Sequence, residues 1–439
     1  MKLYSTKNKE HLVNLKEAVL RGLPPDNGLY MPSRIPTLPA EFIERLSEYS
    51  FPDIAYEIAK QLIGDAIPAA DLQRIIERSI NFPAPVKMLD ENTGVLELFH
   101  GPSLAFKDFG ARFMAQLMSY YNRGENQDLV ILVATSGDTG GAVAAGFYKT
   151  PGIEVVILYP SGKVSPLQEK QLTTLGHNIR ALEVDGSFDD CQALVKRAFL
   201  DSELKRKIRL SSANSINIAR LIPQSFYYFE AFKQLPGDKR KTVFCVPSGN
   251  FGNLTAGLIA ARMGLPIDHF IASTNINDVV PAYLSSSIFS PRPSVRTLSN
   301  AMDVGNPSNF ARMLDLFHSN DPQCSTWNIM RQNISGFAFT DAETRKAIRE
   351  VEAKFNYIMD PHGAVGYLAL REYQKDHPGS IGVILETAHP AKFKPDMEDI
   401  LGHPVQVPER LAQLADKPKE SIFTDTDFGG FKQWLLKHY

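Results

Sequence analysis

The sequence predicts an α/β fold built on parallel sheets covered by helices on both faces, and three observations predict it. Short, β-branched apolar runs recur along the chain: DLVILVA, IEVVILYP, IRALEVDG, KTVFCVPSG, HFIASTN and SIGVILETA. Helix-like stretches lie between them, among them SPLQEKQLTTLG, FDDCQALVKRAFL and LTAGLIAARMGL. The apolar runs are continuous rather than alternating, which is the pattern of strands buried on both faces.

Before these runs, Met1 to about Asn81 reads as a separate, mostly helical N-terminal domain. LVNLKEAVLRGL stops at Gly22 before Pro24 and Pro25, and PAEFIERLSEY, DIAYEIAKQLI and ADLQRIIERSI repeat helical spacing until NFPAP breaks it. The stretch from about Asn277 to Phe337 is irregular and rich in Pro and Ser, and the pattern assigns it no elements. At 439 residues the chain is long enough for two or three domains. Its 44% hydrophobic and 22% charged residues are those of a globular protein. A formal net charge of −2 gives no reason to expect nucleic acid or an acidic membrane as partner. No apolar run reaches membrane-spanning length, and MKLYSTKNKE lacks the pattern of a signal peptide. Cys191, Cys245 and Cys324 are too far apart for a CxxC site or a disulfide framework, so no metal is expected and a reducing compartment, the cytoplasm, fits best.

The first chemically informative stretch is HGPSLAFKDFG, which sets Lys107 between Phe106 and Asp108 in apolar company. Its plainer reading is a lysine snorkelling from a helix start that Asp108 favours. Its sharper reading is a partly desolvated amine able to form an imine with a carbonyl cofactor. Three loops following apolar runs bear on the choice. Thr135, Ser136, Gly137, Asp138 and Thr139 follow DLVILVA and open a helix, where hydroxyls and backbone N–H groups suit an anion; a turn that merely tolerates positive φ is the alternative. Ser248, Gly249, Asn250, Phe251, Gly252 and Asn253 follow KTVFCVP and open the next helix, and they form neither a G-x-G-x-x-G nor a Walker loop. Thr387 stands after SIGVILE at a carboxyl strand end, as a ligand or as a helix N-cap. A fourth segment, SSANSINIARLIPQ, offers Asn214, Ser215 and Arg220 at a helix start, suited to a phosphate dianion or simply a capped helix with a solvated arginine. A lysine fit for an imine together with a phosphate loop is the minimal equipment for pyridoxal 5'-phosphate.

HGPSLAFKDFG followed by ATSGDTGG, PSGNFGNLTAG and ETAHPAKF resembles threonine synthase of the longer bacterial and fungal type, as does YSTKN through GLPPDNGLYMP at the start. The resemblance implies a fold-type-II pyridoxal-phosphate enzyme with two parallel-sheet lobes like those of the tryptophan synthase β chain. The N-terminal domain would be residues 1–81 and the catalytic region 82–439, with a smaller lobe at about 110–212 and a larger one from 82–109 and 213–439. Lys107, beside Phe106, would carry the imine. Ser248 to Asn253 would hold the cofactor phosphate, and Thr387 would bond the pyridine nitrogen. Thr135, Ser136, Gly137 and Thr139 would hold the substrate carboxylate, with Asp138 near the cofactor's phenolic oxygen, a position where many fold-type-II relatives carry Asn. Asn214, Ser215 and Arg220 would hold the phosphate of O-phospho-L-homoserine, converted with water to L-threonine and phosphate. A dehydratase or β-replacing synthase would share the cofactor machinery and lack that phosphate site; a non-catalytic relative would not need Lys107. The DPHGAVG stretch from Asp360 to Gly366 also resembles a family motif without an assigned role, and neither monomer nor homodimer is favoured.

Overall fold

The computed structural model describes residues 1–439 apart from Ser136, Asp238, Lys239, Asn320 and Pro322, with Asp138 described by its backbone alone. Strands β1 (Lys2–Ser5), β2 (Asn8–Asn14) and β3 (Tyr30–Pro32) pair antiparallel in the order β2-β1-β3. This small sheet is an addition to the mostly helical unit expected there. Asn14 explains part of the difference. It caps the helix Leu15–Arg21 by accepting from Glu17 N at 2.9 Å, and a cap residue must be extended. The residues before it continue that extended path as β2, so the helix starts three residues later than the apolar spacing indicates. PAEFIERLSEY breaks at Arg45 into the helix Ala40–Glu44 and a 3₁₀ turn. The helices Phe51–Ile63 and Ala69–Ser79 follow as the spacing predicts.

The remaining strands are β4 (Val86–Asp90), β5 (Thr93–Glu97), β6 (Leu129–Ala134), β7 (Ile153–Pro160), β8 (Ile179–Val184), β9 (Arg209–Ser212), β10 (Lys241–Pro247), β11 (His269–Thr274), β12 (Ile334–Ala338), β13 (Ser380–Glu386) and β14 (Ile422–Thr424). Among the described residues they form a six-stranded sheet, β12-β11-β10-β13-β5-β4, and a five-stranded one, β14-β8-β7-β6-β9. Every pairing in these two sheets is parallel except the hairpin of β4 with β5. All six apolar runs are strands, and helices separate them, as continuous burial requires.

The stretch from Asn277 to Phe337 is not featureless. It contains the helices Val279–Ser286, Phe310–Leu316 and Thr326–Asn333 and most of β12. Gly336 interrupts the apolar run of that edge strand, which hides it from pattern reading. The C-terminal tail also departs from the expected lobes. β14 pairs in parallel with β8, and Phe428, Phe431 and Leu435 of the helix Phe428–His438 pack with Val130, Leu132 and Leu182. Residues from 422 onward thus lie with the sheet of the smaller lobe, and a three-residue, largely exposed strand gives no sequence signal of it. No helix among the described residues is long and apolar enough to cross a membrane.

Candidate active site

β10, β13 and β5 are neighbours in one parallel arrangement, so their carboxyl ends open on the same edge. Ser248 to Asn253 follow the first and Thr387 the second. Lys107 lies ten residues past the third, drawn back to this edge by hydrogen bonds. Phe106 donates its N–H to the Thr387 carbonyl at 2.9 Å, His389 donates to the Leu104 carbonyl at 3.0 Å, and Ala105 bridges Ala388. Leu104 takes φ 59° to make the turn, a left-handed conformation that a branched side chain adopts only when its surroundings impose it. The edge of a parallel sheet's carboxyl end is where such folds bind ligands. Thr387 caps no helix; that task falls to His389, whose Nδ1 accepts from Ala391 N at 3.1 Å.

Lys107 is the first residue of the helix Lys107–Asn122, half-buried, with Nζ 5.8 Å from the Phe106 ring centre. The next residue, Asp108, is fully buried. Burial pushes its carboxyl up to about 6, against the opposing bond from Ser103 N at 2.9 Å. Its Oδ1 has no hydrogen-bond partner among the described residues. So Asp108 is not the exposed helix-start charge of the plainer reading.

The loop after β10 is braced from within. Ser248 Oγ donates to Asn253 Oδ1 at 2.5 Å, and Asn253 Nδ2 donates to the Pro247 carbonyl at 2.9 Å. Phe251 stands at φ 58° just before the helix Gly252–Arg262, which begins without a cap from the Phe251 side chain; Leu254 N donates to Asn253 Oδ1 at 3.0 Å, and the earlier N–H groups of the first turn are left for an anion. A Cβ on Gly249 would lie 2.7 Å from the Ala301 carbonyl oxygen and 2.8 Å from Met302 Cα, so only glycine lets those backbones meet. Asn250 does not point its amide at the loop's hollow. Nδ2 donates to Ser215 Oγ at 2.9 Å and Oδ1 accepts from Ser308 N at 2.6 Å.

The remaining candidates follow β6 and β9, which pair in parallel in the five-stranded sheet. After β6, Thr135 is buried, and its Oγ1 accepts from Gly137 N at 3.0 Å and Gly140 N at 2.8 Å, holding the loop closed over the start of the helix Asp138–Phe147. Thr139 is half-buried. Ser136 and the Asp138 side chain lie outside the described residues. After β9, Asn214 is exposed and Ser215 half-buried, but Arg220 is only 2% exposed, so it is not a solvated arginine. Its Nη1 donates to the Ala213 carbonyl at 2.9 Å, beside Asn214, and its Nε lacks a hydrogen-bond partner among the described residues. Burial pulls its guanidinium down to about 10, which still leaves it charged near neutral pH.

Sequence reasoning missed the groups behind these loops. Asp360, in DPHGAVG, caps the helix Pro361–Asp376 and accepts from His362 Nδ1 at 2.7 Å through Oδ1 and from Ala388 N at 3.1 Å through Oδ2. It therefore fixes the residue that follows Thr387. Glu386 Oε1 accepts from Asp360 N at 2.6 Å, and burial, with Asp360 beside it, raises the Glu386 carboxyl well above the usual range. The signal was available as an Asp-Pro N-cap pair; what it braces was not. Asn309 and Arg312, from the unassigned stretch, are also fully buried here.

The residues present fit pyridoxal phosphate: a half-buried amine and an uncapped, glycine-lined helix start share one sheet edge. The chain is a pyridoxal-phosphate-dependent enzyme of fold type II, and residues 95–386 match the family described as Pyridoxal-phosphate dependent enzyme. Residues 2–80 match Threonine synthase N terminus and residues 363–434 match Threonine synthase, C-terminal. The threonine synthase of Haemophilus influenzae is 48% identical and that of Escherichia coli 46% identical, each over 100% of both chains. A crystal structure of pyridoxal-phosphate-bound threonine synthase from Brucella melitensis superposes with a TM-score of 0.95 at 36% identity, covering 100% of this chain and 99% of that one. The chain belongs to the threonine synthase family.

Proposed function

We propose that the protein converts O-phospho-L-homoserine and water to L-threonine and phosphate, with the work divided between its two larger sheets. The observation that carries this reading is the placement of Lys107, the Ser248 to Asn253 loop and Thr387 at the ends of three neighbouring strands of one sheet. The loops after β6 and β9, on neighbouring strands of the other sheet, would receive the substrate's two anionic ends. Pyridoxal phosphate, when bound, supplies an electron sink for carbanionic character on the substrate. Lys107 would anchor it, Ser248 to Asn253 would hold its phosphate, and Thr387 would bond its ring nitrogen. The Lys107 amine, when free, would be the general base that takes the Cα proton and the acid that returns protons later. Thr135, Ser136, Gly137 and Thr139 would hold the substrate carboxylate, with Asp138 near the cofactor's phenolic oxygen. Asn214, Ser215 and Arg220 grip the leaving phosphate, and a buried guanidinium stabilises the charge that develops there more than an exposed one would. Loss of a Cβ proton accompanies the departure of phosphate from Cγ; a proton is then returned at Cγ, and water adds its oxygen at Cβ to complete threonine.

A smaller lobe, about residues 110–212 together with the tail from residue 422, closes over the rest to keep stray water out in this reading, with residues 1–81 as an N-terminal unit. The free cysteines Cys191, Cys245 and Cys324 support a reducing compartment, the cytoplasm. The test is an assay of phosphate release from phosphohomoserine with threonine detection. Equimolar phosphate and threonine are expected. Phosphate-independent turnover of serine or threonine alone would replace the reading with a dehydratase.

A further inference from the structure

Arg312, in the helix Phe310–Leu316, is fully buried, and burial pulls its guanidinium down to about 9. Its hydrogen-bond partners among the described residues are all neutral oxygens. Nη2 donates to the Tyr30 carbonyl at 2.9 Å and to the Ile216 carbonyl at 2.7 Å, Nε donates to Tyr30 at 3.2 Å, and Nη1 donates to Asn309 Oδ1 at 2.7 Å. The last bond settles a question of chemistry. A guanidinium only donates, so the Asn309 atom facing it must be the carbonyl oxygen, and the amide nitrogen must face the other way. That nitrogen, Nδ2, is buried and has no hydrogen-bond partner among the described residues. It lies 3.4 Å from where a Cβ on Gly252 would stand, at the uncapped start of the helix Gly252–Arg262. A buried donor without an acceptor is costly, and such a group persists where an acceptor arrives with a ligand.

We propose that Asn309 Nδ2 is a further binding group for the cofactor phosphate, and that Arg312 is the positioning residue that fixes its orientation. The proposal rests on the reading that the Ser248 to Asn253 loop holds that phosphate. It also gives the N-terminal sheet a part in the site. Arg312 is held from β3 through Tyr30 and from the segment after β9 through Ile216, so three regions of the chain set one amide.

The test compares pyridoxal 5'-phosphate with pyridoxal, which lacks the phosphate, each titrated into the full chain stripped of cofactor and followed by absorbance. Asn309→Ala should weaken pyridoxal phosphate about tenfold and leave pyridoxal affinity unchanged, the loss expected for one hydrogen bond to a charged group. Arg312→Gln should shift the same ratio in the same direction, because the amide is then free to turn; an unchanged ratio would remove Arg312 from the proposal. Gly249→Ala reports on the loop itself. If Gly249→Ala loses pyridoxal phosphate while Asn309→Ala keeps the wild-type ratio, the proposal is overturned and the loop reading stands. If both variants bind as wild type, the loop reading falls first. Equal weakening of both ligands by Asn309→Ala would make Asn309 a structural residue. A raised KM for phosphohomoserine with cofactor affinity intact would assign it to the substrate's phosphate instead.

Discussion

Asn250 and Ser215 join the two sheets at the site: Asn250 Nδ2, in the loop after β10, donates to Ser215 Oγ, after β9, at 2.9 Å. The same side chain takes Ser308 N at 2.6 Å through Oδ1, so one amide ties the proposed cofactor-phosphate loop to the proposed substrate-phosphate segment. Asn250→Ala should raise KM for phosphohomoserine roughly tenfold, since Ser215 loses the bond that orders it. The absorbance of bound cofactor should survive. Steady-state kinetics beside a spectrum of the purified variant decides, and an unchanged KM would make the bridge incidental.

Lys107 carries the strongest expectation. Lys107→Ala should abolish the near-visible absorbance of the holoenzyme and lower kcat by orders of magnitude, because anchor and general base are lost together. A variant with an unaltered spectrum would place the cofactor on a different lysine.

The glycines of the loop after β10 should differ in tolerance. A Cβ on Gly249 meets backbone at 2.7 Å and 2.8 Å, whereas one on Gly252 meets only side-chain atoms at ordinary contact distance, the nearest Asn309 Nδ2 at 3.4 Å. Gly249→Ala should therefore lose cofactor on dialysis far more readily than Gly252→Ala, while Gly252→Val, with its added methyls, should lose it too. Occupancy measured after dialysis checks the order, and equal retention in the two alanine variants would contradict it.

Arg220 separates phosphate recognition from support. Arg220→Ala should cost at least ~3 kcal/mol in transition-state stabilisation on phosphohomoserine, about a hundredfold in kcat/KM, and Arg220→Lys should recover only part. Slow reactions on unphosphorylated serine or threonine should fall much less. Gly110 packs against the same residue, since a Cβ there would lie 3.1 Å from the Arg220 carbonyl oxygen and 3.2 Å from its Nε, so Gly110→Val should shift Arg220 as a whole and lower activity on phosphohomoserine. Equal losses on both substrate classes would mean that the arginine only supports the fold.

A pH dependence follows from His389. Burial, with His100 nearby, lowers its imidazole from 6.5 to about 4. The folded state thus favours the neutral ring, whose Nδ1 caps the turn Pro390–Phe393. As pH falls below 6.5 the unfolded chain takes the proton first, so this group's contribution to stability is present above pH 6.5 and lost between there and about 4. Asp108, raised from 3.8 to about 6, acts in the opposite sense, adding stability as pH falls through that window. Comparison with His389→Asn, which keeps an N-cap acceptor, isolates the histidine. Denaturation midpoints across pH 4 to 7 should fall more steeply with acid in the wild type than in the variant. Parallel curves would refute the assignment.

Much of this was legible along the chain because it rests on local rules. Continuous apolar runs marked six buried strands, since a strand covered on both faces has no polar face to show. Glycine-rich loops after two of them marked the proposed anion sites, and a lysine with aromatic and acidic neighbours marked the proposed nucleophile. β9, β12 and β14 escaped notice because short, edge or glycine-interrupted strands take their stability from neighbours distant in sequence, not from their own pattern.

The sequence by itself determined which residue types stand at the strand ends: Lys107, Ser248 to Asn253, Thr387, and Asn214 to Arg220. Tertiary structure decided what faces them. The order β10-β13-β5 sets three of these stretches side by side although up to 280 residues separate Lys107 from Thr387. Burial decided that Arg220 is enclosed rather than solvated and that Asp108 is not a surface charge. Asn309, Arg312 and Asp360 carry no motif that announces a ligand. Their parts arise from hydrogen bonds to distant segments, Arg312 to Tyr30 and Ile216 and Asp360 to Ala388, and such bonds are a property of the packed chain.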